Sequence, residues 1–317
     1  MKPRDLALLL GLGAVWGVSF VFITIALRDI SPILLAAVRF DLVAVVMLAW
    51  AGWKTMPLAP KGRREWTAVT AAGLLSIAGY HAFLFWGQDR TTEGIASIIV
   101  GLNPILSSVV AKAILPTEHV SPRNLLGLGL GLCGVVALAV FKPGATLDLQ
   151  GIGELAVVAA IVCWAFGSVT VKRTGASLPL PTLVLWQSLI GSLAMHLASL
   201  VVEPHARFNP TPSALGALAY MVILASGIGL PVYYYILRRV GPVRTNMVSY
   251  IAAISTSIVA VWWLGHPIEL RSYVAFGLIV LGFLLAMQDA PKPAAAGPGP
   301  ASSLPASAVP EPEAGEP

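Results

Sequence analysis

The sequence predicts an all-α polytopic membrane protein, and its composition is the first reason. Of the 317 residues, 57% are hydrophobic and 11% are charged, whereas a typical soluble domain has about 25% charged residues. Apolar runs recur along nearly the whole chain, and each is long enough for a helix that crosses a hydrocarbon core, which needs about 20 residues. One soluble core could not enclose so much apolar surface.

Ten of these runs fit membrane helices that are joined by short loops rich in proline, glycine and charge. The first run follows Met-Lys-Pro-Arg-Asp and therefore looks like a secretory signal. We interpret it as the first span, because its 22 uncharged residues from Leu6 to Leu27 are too many for a typical signal and further spans follow. The predicted spans are 5–27, 32–53, 66–88, 94–115, 123–141, 151–171, 181–202, 213–237, 244–264 and 271–288.

Basic residues predict the orientation of these spans. With the N-terminus in the cytoplasm, 14 Lys and Arg residues lie on the inner side and five on the outer side, while Arg39 lies within a span. The side with more basic residues faces the cytoplasm, so we expect a multi-pass protein of the cell (inner) membrane with both termini cytoplasmic. The net charge of +5 then reflects topology, and we expect no nucleic-acid partner.

The fourth predicted span carries Asn103-Pro104 near its middle. Proline removes one backbone donor and frees a carbonyl one turn earlier, so a helix bends or opens there. We therefore expect a helix kink at Pro104. A bent helix with an amide side chain at mid-membrane depth is suited to a solute pathway.

An internal repeat divides the predicted spans into two sets of five. Trp16-Gly17 corresponds to Trp164-Ala165, Gly134 corresponds to Gly282, and 115–118 corresponds to 263–266, each at an offset of 148 residues. Because five is odd, the two copies must have opposite orientations in the membrane, and such inverted repeats place a solute site between the halves. We expect repeats over residues 1–143 and 144–289, followed by a disordered Pro/Ala-rich cytoplasmic tail over 290–317.

The chain resembles the EamA-type ten-helix permeases of the drug/metabolite transporter superfamily over about residues 5–288. The resemblance rests on 14–17 (Ala-Val-Trp-Gly), 38–40 (Val-Arg-Phe), Asn103-Pro104, 115–118 (Leu-Pro-Thr-Glu) and the glycines from Gly127 to Gly134. The second half departs from the pattern at His266, where a Glu is usual, and at Ala252 or Ala253, where a Pro is usual. Those departures put a symmetric role for the fourth and ninth helices in doubt. The resemblance implies alternating access around a central cavity that is lined by helices 1, 3, 4, 6, 8 and 9.

Polar and aromatic side chains at mid-depth of these helices are the candidate substrate-binding residues. An aromatic wall with a few hydroxyls and amides suits a small polar or zwitterionic solute with an apolar part. Each Trp–Ser pair, at spacings of three and four residues, shares one helix face. The candidates are Trp16, Ser19, Tyr80, His81, Asn103, Trp164, Ser168, Tyr233, Tyr234, Asn246 and Tyr250.

Arg39 lies about eight residues into the second span, where a charge is expensive unless it faces a partner or water. Asp41 is close in sequence but lies on a different helix face. Arg39 either binds an anionic substrate group or fixes the second helix to a neighbour. We favour the structural role, because the second helix is not among the lining helices. Gly13, Gly17, Gly127 and Gly131 are expected to permit close helix packing.

The preferred function is a permease that exports amino acids or related small metabolites. The first span contains no acidic residue within the membrane, which disfavours exchange of protons for cationic drugs, and His81 is the titratable group that could respond to pH. A drug or nucleotide-sugar carrier is the alternative within transport. A membrane-embedded enzyme would need convergent acids, a metal cluster or a nucleophile, so we expect no enzyme, cofactor or metal, and a monomer, with a dimer left open.

Overall fold

The computed structural model describes residues 1–91, 96, 99–115, 121–140, 151–174, 177–264 and 270–287. Within these ranges the chain is helical and forms no β-strand, apart from one isolated antiparallel bridge between Ile30 and Phe208. Three sequence predictions lie outside the described residues, namely the roles of Glu118 and His266 and the disorder of the tail over 290–317.

The main helices follow one another with short connections. They are α1 (Pro3–Leu27), α2 (Pro32–Trp53), α3 (Arg63–Gln88), α4 (Asn103–Ile114), α5 (Pro122–Val140), α6 (Ile152–Thr174), α7 (Leu180–Val202), α8 (Pro212–Val240), α9 (Val248–Leu264) and α10 (Leu270–Met287), with a short helix Pro242–Asn246 before α9. Six of the helices in the described part, α1, α2, α3, α6, α7 and α8, are long and apolar enough to cross a membrane. The chain is therefore a multi-pass membrane protein.

Prolines and side-chain caps position the helix starts. Proline occupies the first turn of α1, α2 and α8, where its missing N–H would have no intrahelical partner. The side chain of Thr211 accepts a hydrogen bond from the backbone N–H of Ala214 at the start of α8. At the start of α2, the carboxylate of Glu203 accepts the N–H groups of Ile33 and Leu34 at 2.9 and 3.1 Å. This carboxylate, which lies just beyond α7, ties the two helices together at one membrane face.

The helical structure of the fourth predicted span is interrupted directly before Asn103-Pro104. Residue 102 forms a turn after helical residues 99–101, and α4 begins again at Asn103 with Pro104 in its first turn. A second break occurs at Met247, between the short helix Pro242–Asn246 and α9. Both breaks place backbone that is not helical within the bundle, which membrane proteins tolerate where protein or a cavity surrounds it.

Two membrane helices contain a π-helical segment near their middle. In α3 the segment is Ala72–Gly79, and in α8 it is Met221–Ile228. Both are eight residues long. The π-helix is rare and is frequent at functional sites when it does occur. In this bundle both segments lie against neighbouring membrane helices, α3 against α6 and α7, and α8 against α1 and α2.

Glycines allow the closest helix contacts. A methyl group at Gly13 would lie 2.5 Å from Cβ of Ile251, and one at Gly17 would meet the carbonyl of Ala252, so α1 and α9 pack almost backbone to backbone. A methyl group at Gly127 would lie 2.5 Å from the backbone nitrogen of Ala286 in α10, and one at Gly131 would lie 2.5 Å from the ring of Tyr250 in α9. The expectation that these four glycines serve close packing is confirmed, and small residues of this kind are typical of membrane helix interfaces.

Candidate substrate cavity

A cavity of about 630 Å³, counting the part that is open to the surroundings, lies at the centre of the helix bundle. Its wall comes from α1, α3, α6, α8 and α9, from residues 100 and 103 on either side of the break in α4, and from one residue of α2. On α1 the cavity extends from Trp16 to Ile23, and on α3 it extends from Tyr80 to Phe85. It therefore occupies the half of the bundle that is nearer to the C-terminal ends of α1 and α3.

Six of the predicted site residues line this cavity: Trp16, Ser19, Tyr80, His81, Asn103 and Trp164. The sequence pattern of Trp16 and Ser19 placed them on one face, and both side chains do border the same space.

The aromatic rings form a continuous wall. The rings of Trp16 and Trp164 meet edge to face with centroids 5.6 Å apart, and Tyr80 lies 4.8 Å from Trp164 and 4.9 Å from His81. The indole N–H of Trp16 donates to the carbonyl of Ala225 at 2.9 Å, which fixes the ring at the π-helical segment of α8. Rings at such separations attract one another beyond the area that they bury. The wall is thus rigid and mainly apolar, with few polar groups exposed to the cavity.

The other five predicted residues do not line the cavity. They lie behind its wall and are buried, and each has a hydrogen-bond partner. Tyr234 donates to Gln187 at 2.7 Å, Tyr250 donates to the carbonyl of Leu128 at 2.6 Å, and Ser168 donates to the carbonyl of Ala165 at 3.1 Å. The remaining two, Tyr233 and Asn246, bond to each other.

Asn246 is the centre of a buried polar network. Its amide oxygen accepts the indole N–H of Trp164 at 2.9 Å and the hydroxyl of Tyr233 at 2.8 Å, and its amide nitrogen donates to Ser107 at 2.6 Å. Ser107 in turn donates to the amide oxygen of Asn103 at 3.3 Å. Four helical segments are joined in this way, and two members, Trp164 and Asn103, border the cavity. Asn246 therefore positions the wall without touching the space inside it.

The half of the bundle opposite the cavity is closed by buried side chains and polar contacts between helix ends. The buried side chains are those of Tyr233, Tyr234 and Asn246. In addition, an ion pair joins the start of α1 to the end of α8, with Arg239 Nε 3.1 Å from a carboxylate oxygen of Asp5. The ammonium group of Lys172 donates to the carbonyl of Arg238 at 2.7 Å, which joins α6 to the same helix end. The cavity thus has one closed side.

Arg39 corrects one of the sequence predictions. We expected α2 to stay away from the cavity, but Arg39 lines it. The expectation was wrong because helix order does not fix the rotation of α2 about its own axis, and packing turns Arg39 inward. Asp41 does lie on another face, as predicted. It pairs at 2.7 Å with His196 of α7, on the outer surface of the bundle, where both side chains are part-exposed.

His81 is buried beside Arg39 at the aromatic wall. Its Nδ1 lies 3.1 Å from the carbonyl of Ile77, and its ring meets those of Phe40 and Tyr80 edge to face. The remaining wall consists mainly of aliphatic and small residues that the sequence reasoning missed. They are Phe20, Ile23, Leu84, Phe85, Val100, Ala225, Leu230, Val248, Ser249 and Ala252. For two of them, Phe20 and Leu84, a spacing of four residues from Trp16 and Tyr80 could have indicated the position.

In the part of the chain that the structure describes, no group of three His, Cys, Asp or Glu side chains is arranged to hold a metal ion. The two cysteines are free thiols. The cavity therefore offers aromatic surface, three hydroxyls, one amide, an imidazole and a guanidinium, which is a set suited to binding a solute.

A bundle of membrane helices around a central cavity is typical of transport proteins, and comparison with known proteins agrees. The chain belongs to the EamA-like transporter family, whose sequence profile matches residues 5–140 and again 151–288. One solved crystal structure superposes with a TM-score of 0.75 at 22% identity, covering 90% of this chain and 97% of that one, which supports the fold.

Several relatives of similar length are named as transporters. The uncharacterized transporter YyaM of Bacillus subtilis is 27% identical over 88% of this chain and 92% of its own length. The uncharacterized inner membrane transporter YedA of Escherichia coli K12 is 24% identical over 90% of this chain and 92% of its own length. A probable amino-acid metabolite efflux pump of Salmonella typhimurium is 26% identical over 90% of this chain and 95% of its own length. These names point to a transporter and not to an enzyme.

Proposed function

We propose that this protein is an inner-membrane permease that exports amino acids or related small metabolites by alternating access. The observation that carries the proposal is the closed-ended central cavity, whose aromatic wall holds a few polar groups at its surface. Such a wall binds the apolar part of a small solute, and the polar groups fix its orientation. The similarity to a protein named as a probable amino-acid metabolite efflux pump supports the solute class.

The architecture behind this mechanism is ten membrane spans in two inverted repeats, residues 1–143 and 144–289. Three observations support the repeat. The family profile matches the chain twice, the π-helical segments of α3 and α8 are offset by 149 residues (72 to 221), and Trp16 touches its counterpart Trp164. Equivalent residues touch each other where a two-fold axis passes, so the two tryptophans mark the axis of the proposed repeat.

Packing of α5 on α10 supports the same repeat in finer detail. A methyl group at Gly134 would lie 2.8 Å from the carbonyl oxygen of Ala275, and one at Gly282 would lie 2.6 Å from that of Gly127. At the offset of 148, Gly127 corresponds to Ala275 and Gly134 corresponds to Gly282. The two contacts are thus the same contact with the halves exchanged, as a two-fold relation requires.

We propose that both termini are cytoplasmic, since 14 basic residues lie on that side against five on the other. In this orientation the C-terminal ends of α1 and α3 are outside, so the cavity extends outward and the ion pair of Asp5 with Arg239 closes the inner side. A complete pair of repeats in one chain suits a monomer in the bilayer, since the second half supplies the partner surface.

Within the site, we assign solute contact to the six predicted residues that border the cavity. Asn246 and Tyr233 then act by positioning Trp164, and Ser168, Tyr234 and Tyr250 stay behind the wall in this conformation. Alternating access rearranges such buried layers, so residues behind the wall in one state can border the cavity in the other. If flux depends on a pH gradient, His81 is the group that would couple transport to protons; if it does not, the protein works by facilitated efflux.

Radiolabelled flux into proteoliposomes tests the proposal. The purified protein is reconstituted and assayed with a panel of amino acids, with and without a pH gradient. We expect saturable flux of a few amino acids, reduced about tenfold by Trp16→Ala or Asn103→Ala, because each loses a wall contact with the solute. Trp53→Ala is the matched control, since Trp53 is 78% exposed at the end of α2. Absence of flux for every amino acid would refute the solute class.

A further inference from the structure

Arg39 is a buried cation that borders the cavity without an acidic partner among the described residues. Its side chain is 5% exposed, and its Nε donates to the hydroxyl of Ser226 at 3.1 Å. Its guanidinium lies over the rings of Phe40 and Phe85, at 5.3 and 5.8 Å from their centroids. None of the ion pairs found in the described chain involves Arg39.

A lone cation in this position is expensive. Ionisable side chains within a membrane protein face partners, cavities or water, and they mark the paths of substrates. A hydroxyl, a thioether and two ring faces offset only part of the lost hydration, since none of them carries a negative charge. The guanidinium has five N–H donors; one is bonded to Ser226, and one points to the sulfur of Met221 at 4.0 Å. The other three are available to an acceptor that enters the cavity, and a carboxylate fits two of them at once.

Comparison of the two proposed halves shows that this position does not need a charge for packing. At the offset of 148, Arg39 corresponds to Gln187 in α7. Gln187 is fully buried and accepts the hydroxyl of Tyr234 at 2.7 Å, and it borders the π-helical segment of α3, as Arg39 borders that of α8. A neutral amide therefore packs in the equivalent place. Helix packing alone does not explain why position 39 carries a charge.

We propose that Arg39 binds the carboxylate of the transported solute and makes the cavity selective for solutes with such a group. This inference rests on the proposed function. The aromatic rings of Trp16, Tyr80 and Trp164 line the same cavity and hold the apolar part of the solute. The nearest titratable neighbours are His81 and Tyr80, which carry no negative charge at neutral pH, so nothing in the described wall competes with the solute for the guanidinium. Solutes with a neutral amide in place of the carboxylate bind weakly.

Flux of matched solutes tests the selectivity. The amino acid that the wild-type protein transports best is compared with its own carboxamide, which has nearly the same size. We expect the acid to be favoured about tenfold or more, because hydrogen bonds between charged groups are the strong ones. In Arg39→Gln, which installs the side chain found at position 187, the preference disappears through loss of acid transport. Arg39→Lys retains part of it, and Arg90→Gln, at an exposed site, leaves it unchanged.

Other outcomes separate the two proposals. If the wild-type protein transports the acid and its amide equally, or if Arg39→Gln slows both by the same factor, the role of Arg39 is refuted and the permease stands. If the wild-type protein transports only solutes without a carboxylate, the role of Arg39 is likewise refuted and the protein is still a permease. If no small metabolite is transported at all, the proposed function fails together with this inference.

Thermal stability gives a second readout that needs no transport. If Arg39 served the fold, Arg39→Gln would lower the melting temperature in detergent. If Arg39 serves the solute, the empty protein keeps or raises its melting temperature, because a buried cation without a counter-charge has been replaced by a neutral amide. Excess transported amino acid then raises the melting temperature of the wild-type protein but not that of Arg39→Gln. A variant that melts lower and still gains from the ligand would overturn the proposal.

Discussion

Replacing Asn246 by leucine tests whether the polar network behind the wall holds the cavity in shape. The substitution keeps the approximate side-chain volume and removes three hydrogen bonds, to Trp164, Tyr233 and Ser107, of 2.9, 2.8 and 2.6 Å. It also leaves the indole N–H and the phenol hydroxyl buried without that acceptor. We expect a loss of about 2–4 kcal/mol in the free energy of unfolding, since one such bond contributes about 0.6–1.7 kcal/mol between membrane helices.

The assay is reversible unfolding in mixed micelles with increasing denaturing detergent, read by circular dichroism. Ser192→Ala is the matched control, because Ser192 is also buried and its hydroxyl bonds to the carbonyl of Leu189 in its own helix. We expect that control to lose less than about 1 kcal/mol. Trp164→Phe removes one donor of the same network, so its effect and that of Asn246→Leu should not add. A loss below about 0.5 kcal/mol for Asn246→Leu would refute the view that Asn246 fixes the wall.

Two further predictions concern packing and capping. Gly282→Ala should lower stability by about 1–3 kcal/mol, because its methyl group would meet the carbonyl of Gly127 at 2.6 Å. The control is Gly277→Ala, which has open space around it and should leave the midpoint of thermal unfolding unchanged or raise it. Equal effects of the two substitutions would contradict the described packing. Glu203→Gln should lower stability by about 1 kcal/mol, because an amide replaces one of the two oxygens that accept the N–H groups of Ile33 and Leu34; an unchanged thermal midpoint would show that the carboxylate is not needed as a cap.

The sequence predicted those features that a single helix determines. A turn at residue 102 precedes Asn103-Pro104, and a proline lacks the N–H that would continue the hydrogen-bond ladder. Trp16 and Ser19 both reached the cavity, because residues three apart share a helix face. Of the ten spans predicted from apolar length, six correspond to described helices that are long and apolar enough to cross a membrane.

Features that depend on how helices meet were not predictable in the same way. Ser168 shares a face with Trp164, but it lies one turn further toward the closed end. Its hydroxyl therefore bonds to its own helix beside Tyr233 and does not line the cavity. The inward rotation of Arg39 is set by the packing of α2 against α7 and α8, which no periodicity in α2 encodes. The π-helical segments Ala72–Gly79 and Met221–Ile228 contain no proline from which a change in helix geometry could be predicted.

Those two π-helical segments also bear on the ancestry of the chain. A π-turn closes its hydrogen bonds over one residue more than an α-turn, so it behaves as a single-residue insertion within an α-helix. Under the proposed repeat, α3 and α8 carry the insertion at corresponding places, eight residues long in both. One insertion in a half-length ancestor, before its gene was duplicated, accounts for both segments. Two later insertions would have had to occur independently at corresponding positions of the two halves. The wide turns are then older than the two-repeat chain itself, and a half-length relative that still assembles as a pair is expected to carry one of its own.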